Sequence, residues 1–404
     1  MVVSIKNEKI CNTNFLNKKM IFTSSSDELN KFCGEITQNS NYVAIDTEFI
    51  RINTYFPELC LLQLAYKKNN DKNIIVLDVF KKEINYEPFI DILKNKKITK
   101  VLHAGRQDCE IFLNLFSFLP QNIFDTQVAA MVCGIGDQES YENLAMNFLN
   151  VKIDKTYQFM DWSKRPLSKS QINYAANDVF YLCDIYEKQK ELLKKLNRND
   201  WIIEENQKLT KKNTYDHNLA SIYKKIRFNK TSKNKNLIYE LLDIREKIAK
   251  KFNLPRNQVI KDVNLINLIK KLPKKFEDFE SIPLFSKNEL KDIYAKKIYI
   301  IIESFLKKDK IENSVIKETN EKLLEIIDLL KIMLKFKCNE YKIPTRLIAS
   351  NQDLEDLVLN ENYNIPALKG WRFDVFGKEA IGLKNGEIAI YIGKKGLDLI
   401  KLNK

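Results

Sequence analysis

Between residues 41 and 126 the chain carries five short, apolar, β-prone runs: "NYVAIDTEFI", "ELCLLQLAY", "NIIVLDV", "KVLHA" and "NIFDT". Amphipathic segments separate the later ones, a pattern that argues for an α/β domain built on a single sheet. The first three runs are joined too briefly for helical crossovers and should pair antiparallel, with "KNNDKN" (68–73) as a hairpin turn. "EPFIDILKN" and "QDCEIFLNLF" read as helices that let parallel strands follow. The expectation is a mixed five-stranded sheet, three antiparallel strands and then two parallel ones.

From about residue 168 the chain turns helical. "LSKSQINYAANDVFYLCDIYEKQKELLKKL" opens on a capping-box pattern, Ser168 with Gln171, and carries apolar side chains at Ile172, Ala175, Ala176, Val179, Leu182 and Cys183. Residues 201–232 read as a polar, basic connector. A repeat follows: "NLPRNQVIKDVNLINL" (253–268) and "KIPTRLIASNQDLEDL" (342–357) align without a gap at an offset of 89. They share Pro255/Pro344, apolar pairs such as Leu265/Leu354 and Leu268/Leu357, and an amphipathic helix upstream. The organisation expected is an α/β domain at 1–200, the connector, and two related helical domains at 233–310 and 311–404. Asp262 and Asn351 would cap corresponding helices in the two repeats.

Charge follows the same division. Residues 1–190 hold 23 basic and 23 acidic side chains, so the whole net charge of +14 falls in the remainder. A neutral catalytic module joined to a basic docking module would look like this, because Lys and Arg that neutralise phosphates supply most sequence-independent nucleic-acid affinity. Solvated helix surface rich in lysine explains the same excess equally well. The seven cysteines never fall in C-x-x-C and only two histidines, His103 and His217, are present, which disfavours a Cys/His zinc site. No apolar run is long enough for a signal peptide or a membrane span, so a cytoplasmic protein with reduced thiols is expected. "GIG" (134–136) lacks the third glycine and the preceding strand of a dinucleotide fingerprint, so no nucleotide cofactor is expected. No dimerisation seam is evident, and a monomer is expected.

Asp46 and Glu48 lie one residue apart in the first strand and therefore project from one face, with Ile45, Thr47 and Phe49 on the other. Paired acids either raise a pKa or recruit a hard divalent ion, although a solvated edge strand accounts for the pair about as well. Asp108 follows "KVLHA" at a strand end, where open α/β sheets place their ligands. Tyr174 and Asp178 are spaced i and i+4 on the long helix and share a face. Acids ordered D-x-E, D and Y-x-x-x-D are the set needed for two-metal phosphodiester hydrolysis, in which the ions activate water and neutralise the leaving oxygen without a histidine base.

With "AIDTEFIRINTYFPELCLLQLA", "VLHAGRQDCEIFLNLF", "IFDTQVAAMVCG", "DKTYQFMDWSKRPLSKSQINYAANDVFYL" and "LPRNQVIKD", nearly the whole chain resembles the ribonuclease D family of DEDDy 3′-to-5′ exonucleases. The resemblance implies a ribonuclease-H-like exonuclease fold followed by two helicase-and-ribonuclease-D C-terminal (HRDC) domains. The family's motifs fall on Asp46 and Glu48, on Asp108, and on Tyr174 and Asp178. The four acids would hold two Mg²⁺ or Mn²⁺ ions, and Tyr174 would orient the water. The implied activity is removal of nucleoside 5′-monophosphates from the 3′ ends of RNA, with tRNA precursors and other structured RNAs as substrates. A DNA 3′-to-5′ exonuclease would use the same five residues. A non-catalytic nucleic-acid-binding scaffold of the same fold is disfavoured by the intact motifs.

Three flanking residues are further candidates for substrate contact. His103 beside the second motif reads more readily as a hydrogen-bonded core residue. Trp162 and Arg165 in "DWSKRPL" could stack on a base and meet a phosphate, or simply pack. Asp125 in "FDTQ" reads as a cap, and the alternating ending "NGEIAIYIGKKGLDLI" as a short hairpin that leaves the extent of the second repeat open.

Overall fold

The computed structural model describes residues 19–216, 219–226, 234–308, 321–359, 364–394 and 396–402. The five apolar runs form strands β2 (Tyr42–Ile50), β3 (Glu58–Lys68), β4 (Asp71–Asp78), β5 (Thr99–Leu102) and β6 (Ile123–Asp125). A further strand, β1 (Lys19–Thr23), lies parallel to β4, so the sheet has six strands rather than five, in the order β1-β4-β3-β2-β5-β6. Its sequence, "KMIFT", is short and largely exposed at a sheet edge, so it lacks both the length and the alternation that mark the others. β3 and β4 pair antiparallel across a turn in which Asn69 and Asn70 take φ of 50° and 67°, the left-handed conformations that a tight hairpin requires. β5 is parallel to both β2 and β6.

Helices α1 (Ser26–Asn39), α2 (Glu87–Lys94), α3 (Arg106–Phe116), α4 (Thr126–Cys133), α5 (Tyr141–Leu149) and α6 (Lys169–Lys195) accompany the sheet. α6 begins at the expected capping box: the Gln171 amide donates to Ser168 Oγ at 3.2 Å, and the Ser168 amide donates to Gln171 Oε1 at 2.6 Å. Its small and apolar face, including Ala175, Ala176, Val179 and Leu182, is buried. Polar contacts then fix it to the sheet. Lys67 on β3 meets Asp184 at 2.8 Å and Glu187 at 2.5 Å, and the Tyr42 hydroxyl of β2 donates to Glu187 at 2.8 Å. This docking sets where Tyr174 and Asp178, about two to four turns earlier, stand relative to β2.

The described residues separate into two compact units, one drawn from the stretches 19–48, 60–211 and 321–402, the other from 49–59 and 212–308. The second unit holds α8 (Leu219–Lys225), α9 (Lys235–Lys251), α10 (Arg256–Val259), α11 (Asp262–Lys271), α12 (Phe276–Glu280) and α13 (Asn288–Lys308), packed around Leu241, Val259, Leu265, Leu268, Phe279 and Ile298. In chain order α7 (Asn199–Asn206) precedes this unit, and it belongs to the first.

The C-terminal segment runs through α14 (Glu321–Tyr341), a proline-led turn at Thr345–Leu347 and α15 (Asn351–Leu359), the order seen in α9, α10 and α11. It then departs, through a π-helical turn at Phe373–Gly377 and a hairpin of β7 (Ile388–Gly393) and β8 (Gly396–Lys401). Within its unit the stacked indoles of Trp201 and Trp371, and the Arg372–Glu204 pair at 2.5 Å, join it to α7. The cap assignments shift by one residue. Lys261 stands at the N-cap of α11 without a side-chain bond, while Asp262, inside the first turn, pairs with buried Arg245 at 2.5 Å. Ser350 rather than Asn351 caps α15, its Oγ accepting from the Asp353 amide at 3.2 Å as Asp353 accepts from the Ser350 amide at 2.7 Å.

Candidate active site

β2 is an interior strand, between β3 and β5, and it presents Asp46 and Glu48 from one face as the alternation requires. α6 brings Asp178 to them. One carboxylate oxygen from each of Asp46, Glu48 and Asp178 lies within 4.8 Å of the others. Burial, then the charges of Asp178, Asp108 and Glu48, raise the Asp46 pKa well above the usual range, and burial with Asp178 and Asp108 does the same for Glu48. Burial lifts Asp178 to about 8. The neighbours that raise these groups are other acids, opposed at Asp46 by a hydrogen bond from the Thr47 backbone, so the cluster would be relieved by positive charge.

Asp108 sits in the first turn of α3, buried, and stands outside that group of three. Its carboxylate accepts the Thr47 hydroxyl at 2.5 Å, and burial raises its pKa to about 6 against the opposing effect of that bond. The turn before it is tightly made. A Cβ on Gly105 would come within 2.5 Å of Leu102 Cβ, so only glycine fits there. Asp125 caps α4 by accepting from Gln127 and Val128, and its carboxylate also accepts the Ala104 and Gly105 amides at 3.1 and 2.9 Å. The cap expected at Asp125 thus also holds the loop that delivers Asp108.

Tyr174 lies one turn before Asp178, and its hydroxyl is held protonated far above the usual range by burial and by the charges of Asp178, Glu48 and Asp46. Trp162, 2% exposed, packs against it with ring centroids 6.0 Å apart. Arg165 forms a two-point bridge to Asp78, 2.8 Å from Nε and 2.6 Å from the terminal nitrogen, and also donates to the Trp162 carbonyl at 2.6 Å. Both side chains are therefore engaged inside the domain. His103 Nδ1 is 3.0 Å from Thr126 Oγ1, whose hydroxyl donates to the Leu102 carbonyl. That assigns the imidazole a proton on Nδ1, and burial lowers its pKa to about 4, so it is neutral. His217 lies outside the described residues.

Two residues carried no signal in the sequence. Thr47 is assigned by strand alternation to the face away from the acids. Tyr141 on α5 donates to the Asn177 carbonyl at 2.8 Å and is raised in pKa by burial and by Asp178 and Asp46. Only the tertiary approach of α5 to α6 places it there.

A family model described as 3′-5′ exonuclease matches residues 20–195, and one for the HRDC domain matches residues 234–302. Ribonuclease D of Bartonella henselae is 37% identical over 361 residues, 88% of each chain. Ribonuclease D of Jannaschia sp. is 35% identical over 91% of this chain and 96% of its own. The chain belongs to the ribonuclease D family.

The crystal structure of Escherichia coli RNase D superposes with a TM-score of 0.73 at 24% identity, covering 91% of this chain and 99% of that one, which shows a shared fold. One HRDC domain is found in the chain, at 234–302, where the repeat suggests two. The alignable part of the repeat is limited to a helix, a proline turn and a second helix, and the C-terminal segment continues differently.

The exonuclease fold implies bound divalent metal, and the residues fit it. Three crowded carboxylates with raised pKa values offer only oxygen donors, the ligand type that hard divalent cations prefer, and a cation would relieve their mutual repulsion. Among the described residues no helix is long and apolar enough to cross a membrane.

Proposed function

We propose that this 3′-to-5′ exoribonuclease releases nucleoside 5′-monophosphates one at a time, trimming tRNA precursors and other structured RNAs. The observation that carries the reading is the carboxylate group contributed by β2 and α6, in a domain matched by a 3′-5′ exonuclease family. Asp46, Glu48 and Asp178 would hold one ion, and Asp46 with Asp108 a second. Bound Mg²⁺ or Mn²⁺ supplies the positive charge that acidifies an attacking water and neutralises the leaving 3′ oxygen.

The remaining work falls to the chain's own groups. Tyr174 keeps its phenolic proton at neutral pH, so its Oη serves as a hydrogen-bond donor that orients the attacking oxygen rather than as a base. Trp162 fixes the Tyr174 ring, and Arg165, through Asp78, fixes the loop that carries Trp162. Asp125 and Gly105 hold the approach of Asp108. The six described cysteines are buried and none is in a disulfide, which suits a reducing, cytoplasmic setting.

The deciding experiment is digestion of a 5′-labelled RNA bearing a short single-stranded 3′ tail, with Mg²⁺ or EDTA, for wild type and Asp46→Ala. A metal-dependent ladder shortening from the 3′ end, absent in the variant, is expected. A matched DNA strand degraded faster than the RNA would assign the activity to DNA instead. RNA binding without turnover would leave a scaffold.

A further inference from the structure

The helical unit contains a cavity of about 380 Å³ that takes no part in the acidic site. It is bounded by the segment after β2, at Arg51 and Thr54, by Lys225 at the end of α8, by Arg245 on α9 and by Arg256 and Asn257 at the start of α10. All of these belong to one compact unit. Its volume is at the low end of small-ligand pockets, roughly 300–1,000 Å³, and suits one phosphorylated nucleoside better than a larger cofactor.

The charge of the lining is one-sided. Among the described lining residues, four cationic side chains stand with one acid, Asp262. Asp262 is engaged with Arg245, and Arg256 is held from behind by the buried Glu246, which does not line the cavity. Arg245 is 1% exposed, and while its terminal nitrogen serves Asp262 and the Ile260 carbonyl, its Nε has no partner. The guanidinium therefore stands as a fixed positive charge in the cavity wall. Lys225 adds an exposed, flexible ammonium at the rim.

We propose that this cavity is a phosphate-binding site, which takes a phosphate ester either from an RNA strand or from a free nucleoside monophosphate. It extends the exoribonuclease reading by giving the helical unit one defined anchor for substrate or product, in place of a diffuse basic surface. The buried Arg245 and the braced Arg256 form the rigid part of the cradle, and Lys225 closes on the anion. Arg51 comes from the segment that directly follows the strand bearing Asp46 and Glu48 in sequence.

The test is binding of a fluorescent single-stranded RNA by the full chain in EDTA, across a salt series, for wild type, Lys225→Glu and Lys250→Glu. Lys250 is exposed on α9 and does not line the cavity, so it controls for general loss of positive charge. Lys225→Glu is expected to weaken binding about tenfold at low salt and to reduce the slope of log K against log salt by about 0.7, as for one lost phosphate contact on a single strand. Lys250→Glu should change neither by more than about twofold. Competition by adenosine 5′-monophosphate, lost in Lys225→Glu, would assign the site to a phosphate monoester, whereas RNA binding that the nucleotide does not displace would assign it to the strand's diester. Equal effects of the two variants, or no effect of Lys225→Glu, would overturn the proposal. Because metal is absent throughout, this result is independent of whether the acidic site cleaves RNA, and unchanged melting temperatures show that the variants are folded.

Discussion

The Thr47 hydroxyl donates to the Asp108 carboxylate at 2.5 Å, so the residue between the two acids of the first motif holds the acid of the second. Asp108 is buried, and this bond opposes the rise in its pKa. Thr47→Val keeps the shape and removes the donor. It is expected to cost about 1–3 kcal/mol of stability, because a buried acceptor loses its partner. It should also raise the metal concentration needed for half-maximal RNA cleavage several-fold. Urea titration and a Mn²⁺ activation curve check both; unchanged metal dependence would make the bond purely structural.

The acidic group also sets a pH dependence of the metal-free protein. Asp178 holds its proton up to about pH 8 when folded but releases it near 4 when unfolded, so the native state binds more protons between those values. Stability in EDTA should therefore fall as pH rises from about 5 to 8, and Mg²⁺ or Mn²⁺ should raise the melting temperature more at pH 8 than at pH 5. Asp178→Asn removes the charge and should flatten the metal-free profile. Thermal melts at fixed ionic strength with and without EDTA provide the measurement.

Loss of an acid and loss of the tyrosine should not be equivalent. Asp46→Ala or Asp178→Ala is expected to reduce cleavage a thousandfold or more, about 4 kcal/mol of transition-state stabilisation. Tyr174→Phe keeps the ring packed on Trp162 and removes only the hydroxyl, so a loss of about ten- to a hundredfold is expected. Single-turnover rates on one oligonucleotide separate these, and equal losses would mean that the hydroxyl does more than orient.

Arg165 is engaged with Asp78 and with the backbone of Trp162, which predicts a scaffold effect. Arg165→Met should cost about 2 kcal/mol, as for a charge-assisted hydrogen-bond pair, while KM for RNA stays within about twofold of wild type. A raised KM at unchanged stability would instead put the side chain on the substrate.

These residues show what the sequence could and could not disclose. Asp46 and Glu48 were legible because a strand has a strict period of two, and Tyr174 with Asp178 because a helix places i and i+4 together. Asp108 was legible as a strand-end acid, but its hydroxyl partner was not, since alternation turns Thr47 the other way. "DWSKRPL" is compatible with stacking on a base or with burial, and only packing distinguishes them. β1 was missed because five largely exposed residues carry no period. In the helical half, the shared proline marked the turn correctly, yet cap chemistry one residue upstream at Ser350, and an unlike ending after α15, are decided by local geometry that apolar spacing does not encode.

The C-terminal segment is bound into its unit by a small buried set of contacts, which makes it part of the catalytic scaffold. Trp201 on α7 and Trp371 stack with centroids 4.2 Å apart and planes 12° from parallel. Beside them Arg372, 1% exposed, meets Glu204 and the buried Glu205, while Arg198 donates to the Tyr341 carbonyl at 2.8 Å. Removing one partner of a buried ion pair typically costs about 3–5 kcal/mol, because the other charge stays behind. Arg372→Met should therefore destabilise the unit by about that amount and weaken the near-ultraviolet circular dichroism of the stacked indoles. Arg372→Met together with Glu205→Gln should recover part of the loss, since the buried Glu205 no longer carries a charge, and only part, since Glu204 keeps its own. Urea denaturation followed by both signals checks this: if the single variant melts like wild type, the contacts are surface decoration and the segment is free to act as a separate docking module.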